Sequence, residues 1–90
     1  MDVFFKKSFL KDFERLPLDL RSEVKKLCEQ IFPELESVNN FRVYPLSKIR
    51  GFNFYYRIRS GAYRIGLEAR KDSVIFMRVL HRKDIYRRFP

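Results

Sequence analysis

Histidine and cysteine are almost absent from this 90-residue chain, which has one residue of each and no tryptophan. With Cys28 as the single cysteine, no internal disulfide can form, and Cys28 and His81 alone do not make a zinc site. No apolar run reaches the length of about 18 residues that a membrane span needs, and the apolar stretch at the N-terminus is too short for a signal peptide. We therefore expect no cofactor, no metal and no membrane partner, and a cytoplasmic location.

Acidic residues are scarce in the second half of the chain. Residues 1–45 hold eight basic and eight acidic side chains, whereas residues 46–90 hold twelve basic and three acidic ones. The net charge of +9 therefore lies entirely in the second half. A one-sided basic excess with interleaved aromatic residues is typical of a surface that binds nucleic acid.

Ninety residues suit one domain, because a chain of this size buries roughly 60% of its unfolded surface in a single core. We predict a short strand over Val3–Lys6, followed by two helices. Ser8 is the expected N-cap of the first helix, and Pro33 the expected end of the second. The apolar positions at helical spacing are Phe9, Leu10, Phe13 and Leu16 in the first helix, and Leu20, Val24, Leu27, Cys28 and Ile31 in the second.

Alternating apolar and polar residues predict three consecutive strands at residues 53–59, 62–69 and 73–80, after a loop over residues 34–52. The order βααβββ predicts an α+β fold in which an N-terminal antiparallel helical hairpin packs on one face of an antiparallel sheet. In the third strand, Ile75, Met77 and Val79 are expected in the core. The basic C-terminal tail is expected to be anchored by Ile85.

Arginines occupy the outward-facing positions of the first two of these strands. A turn at Ser60 and Gly61 leaves two registers open, one with Arg57 opposite Arg64 and one with Arg59 opposite Arg64, and both place these arginines on one face. Arg78 is expected to join them. Because like charges opposite each other destabilise a sheet, this face requires an anion, unless it is only a solvated surface.

Three segments together resemble a known family: two helices with an RLP turn, then YRIRSGAYRIG, then VLHRKDIYRRF. They are similar to the RelE/ParE superfamily of bacterial toxins from toxin–antitoxin pairs, over about Phe4 to Phe89. Ala62 departs from the pattern, since relatives usually carry an acidic residue there. The resemblance implies a microbial-ribonuclease-like fold, a cognate antitoxin as partner, and contact with DNA only through the antitoxin complex.

In the RelE branch, the resemblance implies a toxin that enters the ribosomal A site and cuts mRNA. Cleavage without metal requires activation of the 2′-OH, stabilisation of charge on the phosphate and protonation of the leaving 5′-oxygen. The arginines suit the phosphate, whereas His81 and Tyr86 are candidates for proton transfer. The expected catalytic residues are Arg64, Arg82, Tyr86 and His81, and the expected RNA-binding residues are Arg57, Arg59, Arg78, Lys83, Arg87 and Arg88.

Other interpretations stay open at this point. A ParE-like toxin inhibits DNA gyrase by binding it, and a catalytically inactive RNA-binding or repressor-complex module is a third possibility. Tyr86 has an alternative role as a pin for the tail or as a stacking platform for a base, and a lone histidine after a strand is more often structural than catalytic.

Overall fold

A five-stranded sheet forms the centre of the computed structural model, which describes all 90 residues. Its strands lie side by side in the order β1-β5-β4-β3-β2. The strands are β1 (Asp2–Phe5), β2 (Leu46–Lys48), β3 (Tyr55–Ser60), β4 (Tyr63–Ala69) and β5 (Ser73–His81). The helices are α1 (Lys7–Glu14), α2 (Leu18–Lys26) and α3 (Arg82–Arg88). None of the helices combines the length and the apolar character needed to span a membrane.

The sheet is mixed: it is antiparallel as predicted except at one edge. β1 pairs with β5 in parallel, and Val3 lies opposite Val74. The three strands β3, β4 and β5 are antiparallel sequential neighbours, as predicted. The loop predicted over residues 34–52 contains the short edge strand β2, which pairs with β3. Alternation within a strand does not specify the direction of a partner that is distant in sequence, which explains the exception at β1.

The first helix is amphipathic, but its buried face differs in detail from the prediction. Phe9 and Leu16 are buried, whereas Leu10 is 49% exposed and the acidic Asp12 is buried. Ser8 is not the N-cap: the helix begins at Lys7, and the Ser8 hydroxyl donates to the carbonyl of Met77 at 2.7 Å. The Ser8 hydroxyl therefore bonds to the neighbouring strand β5 and does not cap the helix.

The second helix begins after Pro17 and buries Val24. It continues through a wider π-helical turn over Leu27–Ile31 and ends in a 3₁₀ turn over Phe32–Glu34, which contains Pro33. The missing N–H of proline prevents further helical hydrogen bonding. The predicted end of this helix near Pro33 is therefore confirmed.

The main core lies between α1, α2 and one face of the sheet, which confirms that both N-terminal helices pack on the same side. Its fully buried residues include Phe9, Val24, Phe32, Ile58, Ile65, Leu67, Val74, Phe76 and Val79. A second, smaller cluster of Ile49, Ile85 and Phe89 lies apart from it, with Tyr55, Met77 and Leu80 packed around it. This outer cluster attaches α3 to the sheet.

The predicted core face of β5 is wrong in its first half, because the strand contains an irregularity. Gly66 pairs with Arg78, but the next residue, Leu67, pairs with Phe76, so Met77 is an extra residue in β5. Such a bulge changes which side chains share a face. Consequently Phe76, not Met77, lies in the main core with Val79, and Val74 takes the place predicted for Ile75.

Candidate nucleic-acid interface

The hairpin of β3 and β4 brings three arginines together. Arg59 lies opposite Arg64, and Ser60 opposite Tyr63, which leaves Gly61 and Ala62 as the turn. Gly61 has φ +58°, a left-handed conformation that glycine adopts without strain. This is one of the two registers expected from the sequence, and it confirms that Arg57, Arg59 and Arg64 share a face.

The three arginines line one side of an open cavity of about 420 Å³. The other lining residues are Pro45, Ser47 and Tyr86, so no carboxylate faces the cavity. Several guanidinium groups without a neutralising carboxylate create a positive potential, and their planar donor arrays match phosphate oxygens. The cavity, called here the arginine pocket, is therefore suited to bind a phosphate group.

Arg57 packs against Tyr86 in the arginine pocket. Its guanidinium carbon lies 4.6 Å from the centroid of the Tyr86 ring. Its Nε is buried and has no hydrogen-bond partner within the protein. Tyr86 is 64% exposed on α3, so its side chain contacts Arg57 and stays accessible to a ligand.

Arg64 is held at the hairpin turn by its own backbone. One terminal nitrogen of its guanidinium donates to the carbonyl oxygens of Gly61 and Tyr63, each at 2.8 Å. These bonds fix the side chain in place while the remaining guanidinium N–H groups are free to donate. A fixed donor aimed at a phosphate stabilises developing charge without reorganisation cost during the reaction.

The start of α3 is fixed by two hydrogen bonds. The backbone N–H of Arg82 donates to the carbonyl of Ala62 at 2.7 Å, which joins α3 to the hairpin turn. His81 caps the helix, because its Nδ1 accepts from the backbone N–H of Lys83 at 3.2 Å. The anchor predicted at Ile85 is confirmed, since this residue is fully buried. Phe89 is a second anchor that the sequence prediction missed.

Arg78 does not join the other arginines, and the prediction that it lies on their face is wrong. Its guanidinium forms two hydrogen bonds to the buried Asp12 of α1, at 2.7 and 2.9 Å. The same carboxylate also accepts from the backbone N–H of Val79 at 3.1 Å. The irregularity in β5 turns Arg78 toward α1, where its charge is neutralised.

The remaining predicted site residues lie outside the arginine pocket. His81 and Arg88 line a separate groove of about 350 Å³ that also contains the Asp12–Arg78 pair. Arg82 and Lys83 are exposed on α3, and Arg87 pairs with Asp84 at 3.0 Å on the surface. The structure thus brings together four of the predicted residues, Arg57, Arg59, Arg64 and Tyr86.

Ser47 is a lining residue that sequence reasoning missed. It lies on β2 directly opposite Arg57 in the sheet. The only available signal was the alternation of Leu46, Ser47 and Lys48, which is too short to identify a strand. No group of three or more histidine, cysteine or acidic side chains is placed to hold a metal ion.

A small basic α+β domain with an arginine-lined pocket at a β-hairpin is the class of protein that this fold defines. Residues 3–86 match the family model described as the ParE toxin of the type II toxin–antitoxin system parDE. The chain is 44% identical over 90 residues to Toxin RelE3 of Methanocaldococcus jannaschii, and the alignment covers 100% of both proteins. The chain belongs to the RelE/ParE family of type II toxins.

Solved structures agree with this assignment. The RelB–RelE antitoxin–toxin complex from Methanococcus jannaschii matches with a TM-score of 0.80 and 42% identity, covering 97% of this chain and 99% of that one. The isolated RelE toxin of E. coli matches with a TM-score of 0.65 and 20% identity over 97% of this chain and 92% of that one. The second match shows that the fold is shared.

Proposed function

We propose that this toxin is a ribosome-dependent mRNA endoribonuclease that inhibits translation in the cytoplasm. The observation that carries the proposal is the arginine pocket, in which three guanidinium groups and Tyr86 face one cavity without a carboxylate. A pocket of this charge and size fits the phosphate of an extended RNA strand. The similarity to RelE toxins over the whole chain supports the same function.

The chemistry follows from the groups in the pocket. The ribose 2′-oxygen attacks the adjacent phosphorus, its proton is removed, and the P–O bond to the 5′-oxygen breaks as that oxygen gains a proton. The products are a 2′,3′-cyclic phosphate and a free 5′-hydroxyl. Arg57, Arg59 and Arg64 neutralise the negative charge that builds on the phosphate oxygens in the transition state.

Proton transfer is assigned to Tyr86. Arginine stays protonated throughout the physiological range, and His81 lies in a different groove with its Nδ1 occupied by the helix cap. Tyr86 is then the one ionisable side chain other than arginine that lines the pocket. Because the pocket offers no strong general base, we propose that the ribosome positions the mRNA and completes the site.

The partner that silences this activity is proposed to be an antitoxin. Solved relatives include a RelB–RelE antitoxin–toxin complex, and an apolar groove of about 640 Å³ lies between α1 and α2 here. Its walls include the exposed Leu10 and Leu18. We expect an antitoxin segment to pack as an amphipathic helix or an added strand, to bury or disorder Arg82–Tyr86, and to mediate any contact with DNA.

Gyrase inhibition is the second candidate, because the matching family model is described as the ParE toxin. A gyrase-binding toxin does not need Tyr86 beside a set of unpaired arginines. The two candidates therefore predict different results for the pocket variants: an mRNA endoribonuclease loses most of its cleavage rate, whereas a gyrase-binding toxin is expected to keep its inhibition of gyrase.

The deciding experiment expresses the toxin from a tightly controlled promoter, maps new mRNA 5′ ends, and measures DNA supercoiling by gyrase in the same cells. We expect codon-aligned 5′ ends and unchanged supercoiling. The test variant Arg64→Ala removes one pocket arginine, and the matched control is Arg15→Ala, at the C-cap of α1 and outside the pocket. Inhibited supercoiling with no new 5′ ends supports the gyrase candidate, and growth arrest that a co-expressed neighbouring antitoxin fails to relieve contradicts the proposed partner.

A further inference from the structure

The ring of Phe89 lies directly on the backbone of Gly66. A Cβ built on Gly66 would be 2.6 Å from two ring carbons of Phe89 and 2.8 Å from a third. Such distances are far below van der Waals contact, so any side chain at this position displaces the ring. Gly66 has no unusual backbone angle, and its lack of a side chain is therefore explained by the close approach of Phe89.

This contact belongs to the small outer cluster that holds α3. Phe89 is 3% exposed, and its ring centroid lies 5.4 Å from that of Tyr55 on β3. Ile85, one turn earlier, is fully buried, and its carbonyl accepts from the N–H of Phe89 at 2.8 Å. A helix of seven residues is not stable alone, since isolated helices need about 12–15 residues. The existence of α3 depends on these anchors.

Tyr86 lies next to Ile85 on the same turn of α3, with its ring against Arg57. Along β3, Arg57 is two residues from Tyr55, the residue that Phe89 contacts. The Phe89 contact thus fixes the distance between α3 and the sheet, and with it the position of Tyr86 relative to Arg57. We propose that Phe89 and Gly66 are positioning residues that hold Tyr86 in the arginine pocket, an inference that deepens the function proposed above.

The positioning is tested first without any catalytic assay, by a cycle of three variants: Phe89→Ala, Gly66→Ala and the double variant. Amide hydrogen exchange is measured for residues 82–88 and for the main-core strand amides of Val74 and Phe76. Each single variant is expected to raise exchange over α3 by about tenfold or more, while the core amides stay protected. In the Phe89→Ala background, the methyl group added by Gly66→Ala has no ring to displace. The double variant is therefore expected to exchange at the same rate over α3 as Phe89→Ala alone.

Phe52→Ala is the matched control. Phe52 is an exposed phenylalanine that also stacks on Tyr55, with centroids 5.2 Å apart, but the three atoms nearest a Cβ built on Gly66 all belong to Phe89. Its removal is expected to leave exchange over α3 unchanged. Equal protection of α3 in Phe89→Ala and the wild type, or independent effects of the two single variants, would overturn the inference even if Gly66→Ala fails to fold.

The second test asks whether the anchor acts through Tyr86. Single-turnover cleavage of mRNA on a programmed ribosome is expected to fall about 10- to 100-fold in Phe89→Ala, because a displacement near 1 Å has effects of this size. In a Tyr86→Ala background, Phe89→Ala is expected to cost nothing more. A full additional loss there contradicts positioning through Tyr86. If the wild type does not cleave mRNA, the proposed function fails, and the exchange cycle decides the positioning of α3 by itself.

Discussion

Arg57 and Tyr86 are in contact at the arginine pocket, where the basic hairpin meets the C-terminal helix. The guanidinium carbon of Arg57 lies 4.6 Å from the centroid of the Tyr86 ring, and the Arg57 Nε is buried without a protein partner. A cation held against an aromatic ring keeps its charge while its direction becomes fixed. The pair therefore presents an ordered positive group beside an exposed hydroxyl-bearing ring.

Tyr86→Phe separates the two roles of this ring. It keeps the ring against Arg57 and removes only the hydroxyl, so we expect unchanged ribosome binding and a fall in single-turnover cleavage of about 10²-fold or more, as for loss of a general acid or base. Tyr86→Ala is the comparison that removes the stack as well. Wild-type cleavage by Tyr86→Phe assigns the ring to stacking alone.

Arg64→Ala tests stabilisation of the phosphate. The Arg64 guanidinium is fixed at the hairpin turn, and loss of one such donor typically lowers the rate about 10²- to 10³-fold. Arg87→Ala is the control, because Arg87 is exposed and does not line the pocket. For Arg87→Ala we expect weaker binding with a flatter salt dependence and an unchanged rate at saturating ribosomes. Equal rates for the two variants contradict the assignment.

His81 is expected to act as a helix cap. Its Nδ1 accepts from the backbone N–H of Lys83, a role that an asparagine side chain also performs. His81→Ala should lower the free energy of unfolding by about 1 kcal/mol, and His81→Asn by much less. Cleavage by His81→Asn should match the wild type. If His81→Asn has normal thermal stability but loses cleavage, the result supports the catalytic role of His81 that was expected from the sequence.

Asp12 is expected to be important for stability. Its buried carboxylate accepts two hydrogen bonds from Arg78 and one from the Val79 backbone. Asp12→Ala leaves Arg78 without its partner, and we expect a loss of about 3–5 kcal/mol in the free energy of unfolding, measured by urea denaturation. Asp84→Ala, which removes the exposed pair with Arg87, should cost about 1 kcal/mol or less. Similar losses in both variants refute this assignment.

Cys28 is expected to be inert in the folded protein. Burial raises the pKa of its thiol from 9.0 to about 12, with a smaller contribution from the charge of Glu29. At pH 8 alkylation by iodoacetamide should therefore proceed only through unfolding. Because the folded pKa is raised, the stabilising contribution is complete below pH 9 and is lost as the pH rises from 9 toward 12. In Cys28→Ala, the free energy of unfolding should fall less steeply above pH 9 than in the wild type. An equal fall in the two proteins contradicts this assignment.

Much of the site was predictable from residue order because its main element is local. The alternation in Tyr56–Arg59 and Tyr63–Leu67, with a turn between them, specifies a hairpin and a shared face for its arginines. Because successive side chains of a strand alternate between the two faces, the arginines share a face in either of the two registers. Ile85 was likewise recognisable as an apolar residue in a basic tail. Such features depend on neighbours within about ten residues and on a fixed period.

The tertiary structure alone decided the features that join distant segments. The parallel pairing of β1 with β5, the irregularity in β5 that turns Arg78 toward Asp12, and the contact of Phe89 with Gly66 have no signature in local periodicity. The packing of α3 on the sheet likewise decides that Tyr86 lines the arginine pocket and that His81 lies outside it. Chain composition and alternation determine which faces are apolar or charged, whereas the packing of α1 and α3 on opposite faces of one sheet determines which charges are neutralised and which stay free.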